Sequence, residues 1–147
     1  MPVEVRPLTP VDRGGWEPLW RGYQTFYGRD LPQAMIDLSW QRFMDPALPL
    51  DAFGAFAGGR MVGMAHTVRH LATSFEAPFC YLNDLFVDPE TRGTGAGRSL
   101  IEAVYAFALA QGCGRVYWST HETNATAMRL YDQIAEKSGF LLYRHIL

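Results

Sequence analysis

Between Asp88 and Ile101 the chain reads DPETRGTGAGRSLI, which crowds three glycines and two arginines into one junction between apolar runs. A strand that enters a glycine-rich turn and leaves as a helix presents several backbone N–H groups at the positive end of that helix, a cradle for phosphate. The candidate donors run from Thr94 through Gly95, Ala96, Gly97 and Arg98 to Ser99. The missing side chains at Gly93, Gly95 and Gly97 let an anion approach the main chain, and Arg92 and Arg98 add charge-assisted hydrogen bonds on either side. Read without a ligand, the same stretch is a tight turn with two solvated arginines. Two phosphate motifs fail here. A P-loop needs Gly-Lys followed by Ser or Thr, where this loop has Gly97-Arg98-Ser99, and a dinucleotide fingerprint needs its third glycine where Arg98 stands. Neither NTP hydrolysis nor nicotinamide binding is supported.

The other reactive side chains carry weaker signals. Cys80 and Cys113 are too few for a disulfide framework, lack the paired spacing of a zinc site, and sit in no nucleophile signature. His66 and His70 are four apart, a metal spacing only on a helix; they fall in an expected strand with no third ligand nearby, so no metal is expected. Tyr117 and Trp118 read as strand packing, and His121 and His145 as surface or substrate-side residues.

Positioning these residues requires a scaffold. Val3 to Leu8 alternates like a short strand; Pro10 to Tyr27 and Pro32 to Met44 carry apolar residues at helical spacing, with Trp16, Leu19, Trp20 and Tyr23 on one face and Met35, Ile36, Ser39, Trp40 and Phe43 on the other helix's face. Ala52 to Leu71 reads as two strands joined at Gly58-Gly59, and Cys80 to Val87 as a third, stopped by Asp88-Pro89. Leu100, Ile101, Val104, Phe107 and Ala108 share a helical face closed by Gly112 to Gly114. A strand over Arg115–Thr120 follows, then a helix with Asn124 as N-cap and Met128, Leu130, Tyr131 and Ile134 along it, ending at Gly139, and a last strand over the final eight residues. The order β-α-α-β-β-β-α-β-α-β implies one α/β (α+β) domain over residues 1–147, with a mixed sheet flanked by helices.

A chain of 147 residues is long enough for one core burying roughly two thirds of its unfolded surface. Its net charge of −2 argues against a nucleic-acid partner. No apolar run approaches a membrane span and the first residues lack a secretory leader, so a cytoplasmic protein is expected, with no membrane partner.

The pattern Arg92-x-x-Gly95-x-Gly97, after a strand ending LFVDP, resembles the pyrophosphate loop of the GNAT superfamily of acetyl-CoA-dependent N-acetyltransferases. The block TNATAMRLYDQIAEKSGF is similar to that family's late helix, with Asn124 at its start, Tyr131 seven residues on and Gly139-Phe140 opening the last strand; the element order agrees over nearly the whole chain. YLNDLFVDP and VYWSTHETN resemble the small branch that acetylates histone tails, polyamines and certain amino acids.

The resemblance implies that Leu85, Phe86 and Val87 offer main-chain groups to acetyl-CoA, with the Val87 N–H stabilising the oxyanion. It implies direct attack by the amine, with Tyr131 protonating the departing thiolate. Asn124 would cap its helix and touch the pantetheine, and Arg129 could reach a phosphate or stay solvated. A primary amine of pKa about 10.4 is neutral in only about one molecule in 2,500 at pH 7, a handicap of about 4.6 kcal/mol, so a base, or water leading to one, is worth having. Asp84 is the first choice. Asn83 stands where polyamine-acetylating relatives carry a glutamate and cannot accept a proton, which keeps the base open. Strand alternation would put Asn83 and Asp84 on opposite faces, only one of them toward substrate. Asp84 could instead be a structural buried carboxylate, Tyr131 a core aromatic, and Glu122 either an ammonium-attracting or a solvated residue. A non-catalytic acyl-CoA-binding regulatory module is the alternative function. Only eight residues follow Gly139, room for one strand of the family's terminal hairpin, so a second subunit is expected to cover the open edge in a homodimer.

Overall fold

A computed structural model of the protein describes residues 2–91 and 93–147; the expected contribution of Arg92 lies outside the described residues. The described chain forms two compact units, one running to Tyr117 and the other starting at Trp118.

The first unit is a five-stranded sheet in the order β1 (Val3–Pro7), β2 (Leu50–Ala57), β3 (Arg60–His70), β4 (Phe79–Val87) and β5 (Arg115–Tyr117), with helices α1 (Arg13–Phe26), α2 (Gln33–Met44) and α3 (Ala96–Ala110). The first four strands pair antiparallel, β1 meeting β2 across the two intervening helices and β2 meeting β3 through a tight turn, and β5 joins β4 in parallel after the α3 crossover. Gly58 and Gly59 both take positive φ, +59° and +81°, which is the conformation a tight two-residue hairpin demands and an L side chain resists. The expected apolar face of α1 is the observed one: Trp16, Leu19, Trp20 and Tyr23 are all buried. On α2, Ile36, Ser39 and Trp40 are buried, and the Trp16 and Trp40 rings meet at 4.8 Å. On the α3 side, Leu100, Ile101 and Val104 are fully buried, and Phe107 packs edge-on against Phe53 of β2.

Several boundaries differ from expectation. Pro10–Asp12 is a separate 3-10 turn rather than the start of α1, while Pro18 sits inside α1, where it supplies no N–H to the helix ladder. The strand expected over 115–120 ends at Tyr117: among the described residues it pairs with β4 alone, through Phe79, Cys80 and Tyr81. In the second unit the last helix, α4 (Ala125–Ile134), stops short of Gly139: Ala135 is already extended at φ −148°, ψ −175°. The final strand is not formed. Residues 140–147 have no ladder partner among the described residues, and Phe140, Leu141, Leu142, Tyr143, Ile146 and Leu147 are exposed. Strand propensity cannot by itself bond a backbone; an acceptor chain must supply the partner groups.

Candidate active site

The centre of the first unit is a small polar cluster walled by aromatics. His66 of β3 is 1% exposed and uses both ring nitrogens. Trp16 Nε1–H, which can only donate, reaches His66 Nε2 at 2.9 Å, so the ring proton sits on Nδ1 and donates to Asp84 Oδ2 at 3.0 Å. Phe43 stacks on the imidazole at 4.2 Å and Trp20 meets it edge-on at 4.9 Å. The Tyr23 hydroxyl faces the same carboxylate; burial first, then the charge of Asp84, hold it far above the ordinary phenol range and keep it protonated. Asp84 is thus a carboxylate held in one orientation by a histidine that is itself held by an indole. The i, i+4 spacing of His66 and His70 serves two unrelated contacts. His70 Nδ1 donates to Leu71 O at 2.8 Å, and its Nε2 accepts from the Tyr117 hydroxyl at 2.6 Å.

A cavity of about 180 Å³ opens onto Asp84, lined by Trp20, Ser39, Arg42, Phe43, Leu50, His66, Val68 and Asn83. The expectation that only one of Asn83 and Asp84 can face it is overturned. The β3–β4 register runs His66↔Asp84 and then Thr67↔Leu82, so Asn83 is the extra residue of a β-bulge. A bulge breaks the two-residue alternation, and both side chains border the same space, Asp84 buried and Asn83 exposed.

The bulge also marks where β4 loses one neighbour. Pairing with β5 stops at Tyr81, so from Leu82 to Val87 one edge of β4 has no partner strand among the described residues. The Asp88 N–H goes to Val62 O at 2.8 Å across β3. By alternation the main-chain groups of Phe86 also point to β3, while those of Leu85 and Val87 point to the open edge. Leu85 and Val87 therefore turn their main-chain groups to an edge that an added strand would use. The main chain of Phe86 belongs instead to the ladder, and its ring packs edge-on against Tyr23.

Beyond β4, Pro89–Thr91 make one 3-10 turn, and Gly93 and Gly95 take φ of +82° and +76°, with open space where a Cβ would stand. α3 begins at Ala96, which puts Gly97, Arg98 and Ser99 in its first turn. The Ser99 N–H is consumed by Gly95 O at 3.0 Å, so the expected donor row is shorter: Ala96, Gly97 and Arg98 are the positions a helix leaves without an internal acceptor. Thr94 lies exposed in the turn, and Arg98 pairs with Glu102 at 3.0 Å. This combination of an open strand edge, left-handed glycines and orphan helix donors fits a pantetheine arm ending in a diphosphate. The thiols fit no covalent step: burial pushes Cys80 up to about 11 and raises Cys113 as well.

A family model described as the acetyltransferase (GNAT) family matches residues 16–135. The chain belongs to the GNAT acetyltransferase family. Among curated proteins it is 36% identical over 146 residues to the D-amino-acid N-acetyltransferase HPA3 of Saccharomyces cerevisiae, covering 97% of this chain and 89% of that one. It is 35% identical over 69 residues to the thialysine N-epsilon-acetyltransferase of Bos taurus, covering 44% of this chain and 41% of the relative. A solved structure of AAC(6')-Iy in complex with a CoA bisubstrate analogue superposes with a TM-score of 0.87 at 19% identity, covering 100% of this chain and 99% of that one. This GNAT protein is an acyltransferase acting on amine nitrogen, and the catalytic reading is favoured over a regulatory module.

The second unit carries the remaining candidates. Tyr131 of α4 is half-buried and meets Trp118 edge-on at 5.3 Å. Asn124 occupies the N-cap position but makes no capping bond; its amide instead donates to Thr120 Oγ1 at 3.4 Å. Glu122 is exposed, and Arg129 reaches back to Thr126 Oγ1 at 3.5 Å. Three contributors went unseen in the sequence: Trp16 and His66, whose link spans fifty residues, and Arg42. For Arg42 a signal existed, since Ser39, Arg42 and Phe43 form an i, i+3, i+4 stripe on α2.

Proposed function

We propose that this GNAT enzyme transfers the acetyl group of acetyl-CoA to the primary amine of a basic small molecule or of a lysine side chain, with amino acids and polyamines as the competing small acceptors. The observation that carries the reading is the buried, doubly held Asp84 beside the unpaired edge of β4. Acetyl-CoA, when bound, supplies an activated thioester. Leu85 and Val87 hold its pantetheine arm by strand addition, and Gly93 to Arg98 hold its diphosphate. The Val87 N–H, on the open edge, would donate to the thioester oxygen and stabilise the charge that develops there. Asp84 would attract the acceptor ammonium and take one proton from it; the neutral amine nitrogen would then bond to the acetyl carbon, the carbon–sulfur bond would break, and the second nitrogen proton would leave to solvent, from which Tyr131 regains its own. Asn83, at the bulge, orients the amine by hydrogen bonding and does not act as the base. Tyr131 returns a proton to the leaving thiolate, a role taken from its place in the family motif, and Glu122 adds negative charge for a cationic acceptor.

The two units are proposed to work as one transferase domain over 1–147, since the family match runs across their boundary. We further propose a cytoplasmic homodimer without nucleic-acid or membrane partners. β5 is an end strand of the sheet and the last eight residues carry six exposed apolar side chains, both of which a second copy could cover. Among the described residues no helix is long and apolar enough to cross a membrane. Free-thiol release from acetyl-CoA against a panel of amino acids, polyamines, aminoglycosides and lysine peptides tests the reading; release with none of them ends it. A monomer by light scattering at working concentration ends the dimer.

A further inference from the structure

The acceptor cavity holds charges of both signs. The buried Asp84 lines it, and Arg42 of α2 borders it with an exposed side chain. Most other arginines of the first unit are engaged: Arg6 by Asp12, Arg13 by Glu17 and Asp37, Arg21 by Glu17, Arg60 by Asp88, Arg69 by Asp51 and Arg98 by Glu102. The Arg42 side chain has no ion pair or hydrogen bond among the described residues, while its carbonyl accepts the Asp45 N–H at 3.3 Å. Trp20, lining the same cavity, buries its indole N–H with no acceptor. An unpaired guanidinium and an unfilled N–H donor beside one cavity both call for an anionic oxygen.

We propose that Arg42 is a specificity-determining residue that binds a carboxylate on the acceptor while Asp84 takes its ammonium, so that amino acids are preferred over polyamines. This rests on the reading of the Asp84 cavity as the acceptor site. A polyamine entering amine-first would bring a second ammonium toward Arg42 and be repelled; an amino acid brings the opposite charge. The cavity of about 180 Å³ lies below the ~300–1,000 Å³ of sites for drug-sized ligands, and its apolar walls of Phe43, Leu50 and Val68 suit one aliphatic side chain.

The test compares leucine, in both enantiomers, with leucinamide, which keeps the amine and removes the carboxylate, in the wild-type enzyme and in Arg42→Met and Arg42→Lys. The acid-to-amide ratio of kcat/KM should fall about 10- to 100-fold on going from wild type to Arg42→Met, chiefly through KM for the acid. Arg42→Lys should retain part of it, since a lysine keeps the charge and loses the planar fork. Taking the ratio between enzymes removes the different basicity of the two amines. An unchanged ratio, or an equal loss for acid and amide, overturns the role of Arg42 while leaving the transferase intact. Absence of thiol release with every amine, spermidine included, overturns the acceptor-site reading and this inference with it.

Discussion

The two ends of β4 are built from similar residues and do different work. From Phe79 to Tyr81 the strand is bonded on both sides, to β3 and to β5, and Cys80 is wholly buried with its thiol silenced by desolvation. Among the described residues it is bonded from Leu82 to Val87 to β3 alone, carries a bulge, and turns Leu85 and Val87 toward an edge without a partner strand. A complete ladder makes the first half scaffold; a suspended ladder makes the second half a binding surface, because the unused N–H and C=O groups can accept an added strand.

If that contrast is right, Asp84→Asn in the open half should lower kcat by about a hundredfold or more with the fold retained, as removal of a proton acceptor does; steady-state thiol release with circular dichroism as control measures it, and a wild-type kcat would place the base elsewhere. Tyr131→Phe should cost less, about ten- to a hundredfold in kcat with acetyl-CoA affinity unchanged, since a thiolate of pKa near ~8.5 leaves fairly well unaided. Gly95→Val forces a β-branched residue to φ +76° in the phosphate turn and should raise KM for acetyl-CoA about tenfold, leaving acceptor KM alone. In the scaffold half the expectation reverses: Cys80→Ala should cost about 1 kcal/mol in urea unfolding and leave kinetics untouched, because it removes packing and a weak thiol contact to Thr67, both remote from the open edge.

A last prediction concerns stability rather than the site. The Arg6 guanidinium, then Thr9 through its N–H and hydroxyl, hold the buried Asp12 carboxyl well below the usual carboxylate range. A group whose pKa is lowered by folding stabilises fully above its unfolded value near 3.8 and less as pH falls below it. Tm should therefore decline below about pH 5, and Asp12→Asn should flatten that decline. An unaltered acid limb would remove Asp12 as its cause.

What could be read from the chain alone was whatever local stereochemistry dictates. The paired glycines at 58 and 59 specify a hairpin, the left-handed Gly93 and Gly95 announce a loop before a helix, and the helical spacing of Trp16, Leu19, Trp20 and Tyr23 names a buried face. Each depends on neighbours within a turn or two, where φ, ψ and periodicity act. Tertiary structure alone decided the rest: the bulge that brings Asn83 and Asp84 to one cavity, the indole-to-imidazole-to-carboxylate chain linking Trp16, His66 and Asp84, and the end of β5 at Tyr117. These are matters of register and of contact between distant segments, and a strand's hydrogen bonds, unlike a helix's, are completed by residues its own sequence does not contain. The unformed strand over 140–147 follows the same rule: its residues favour extension, but a ladder requires a partner.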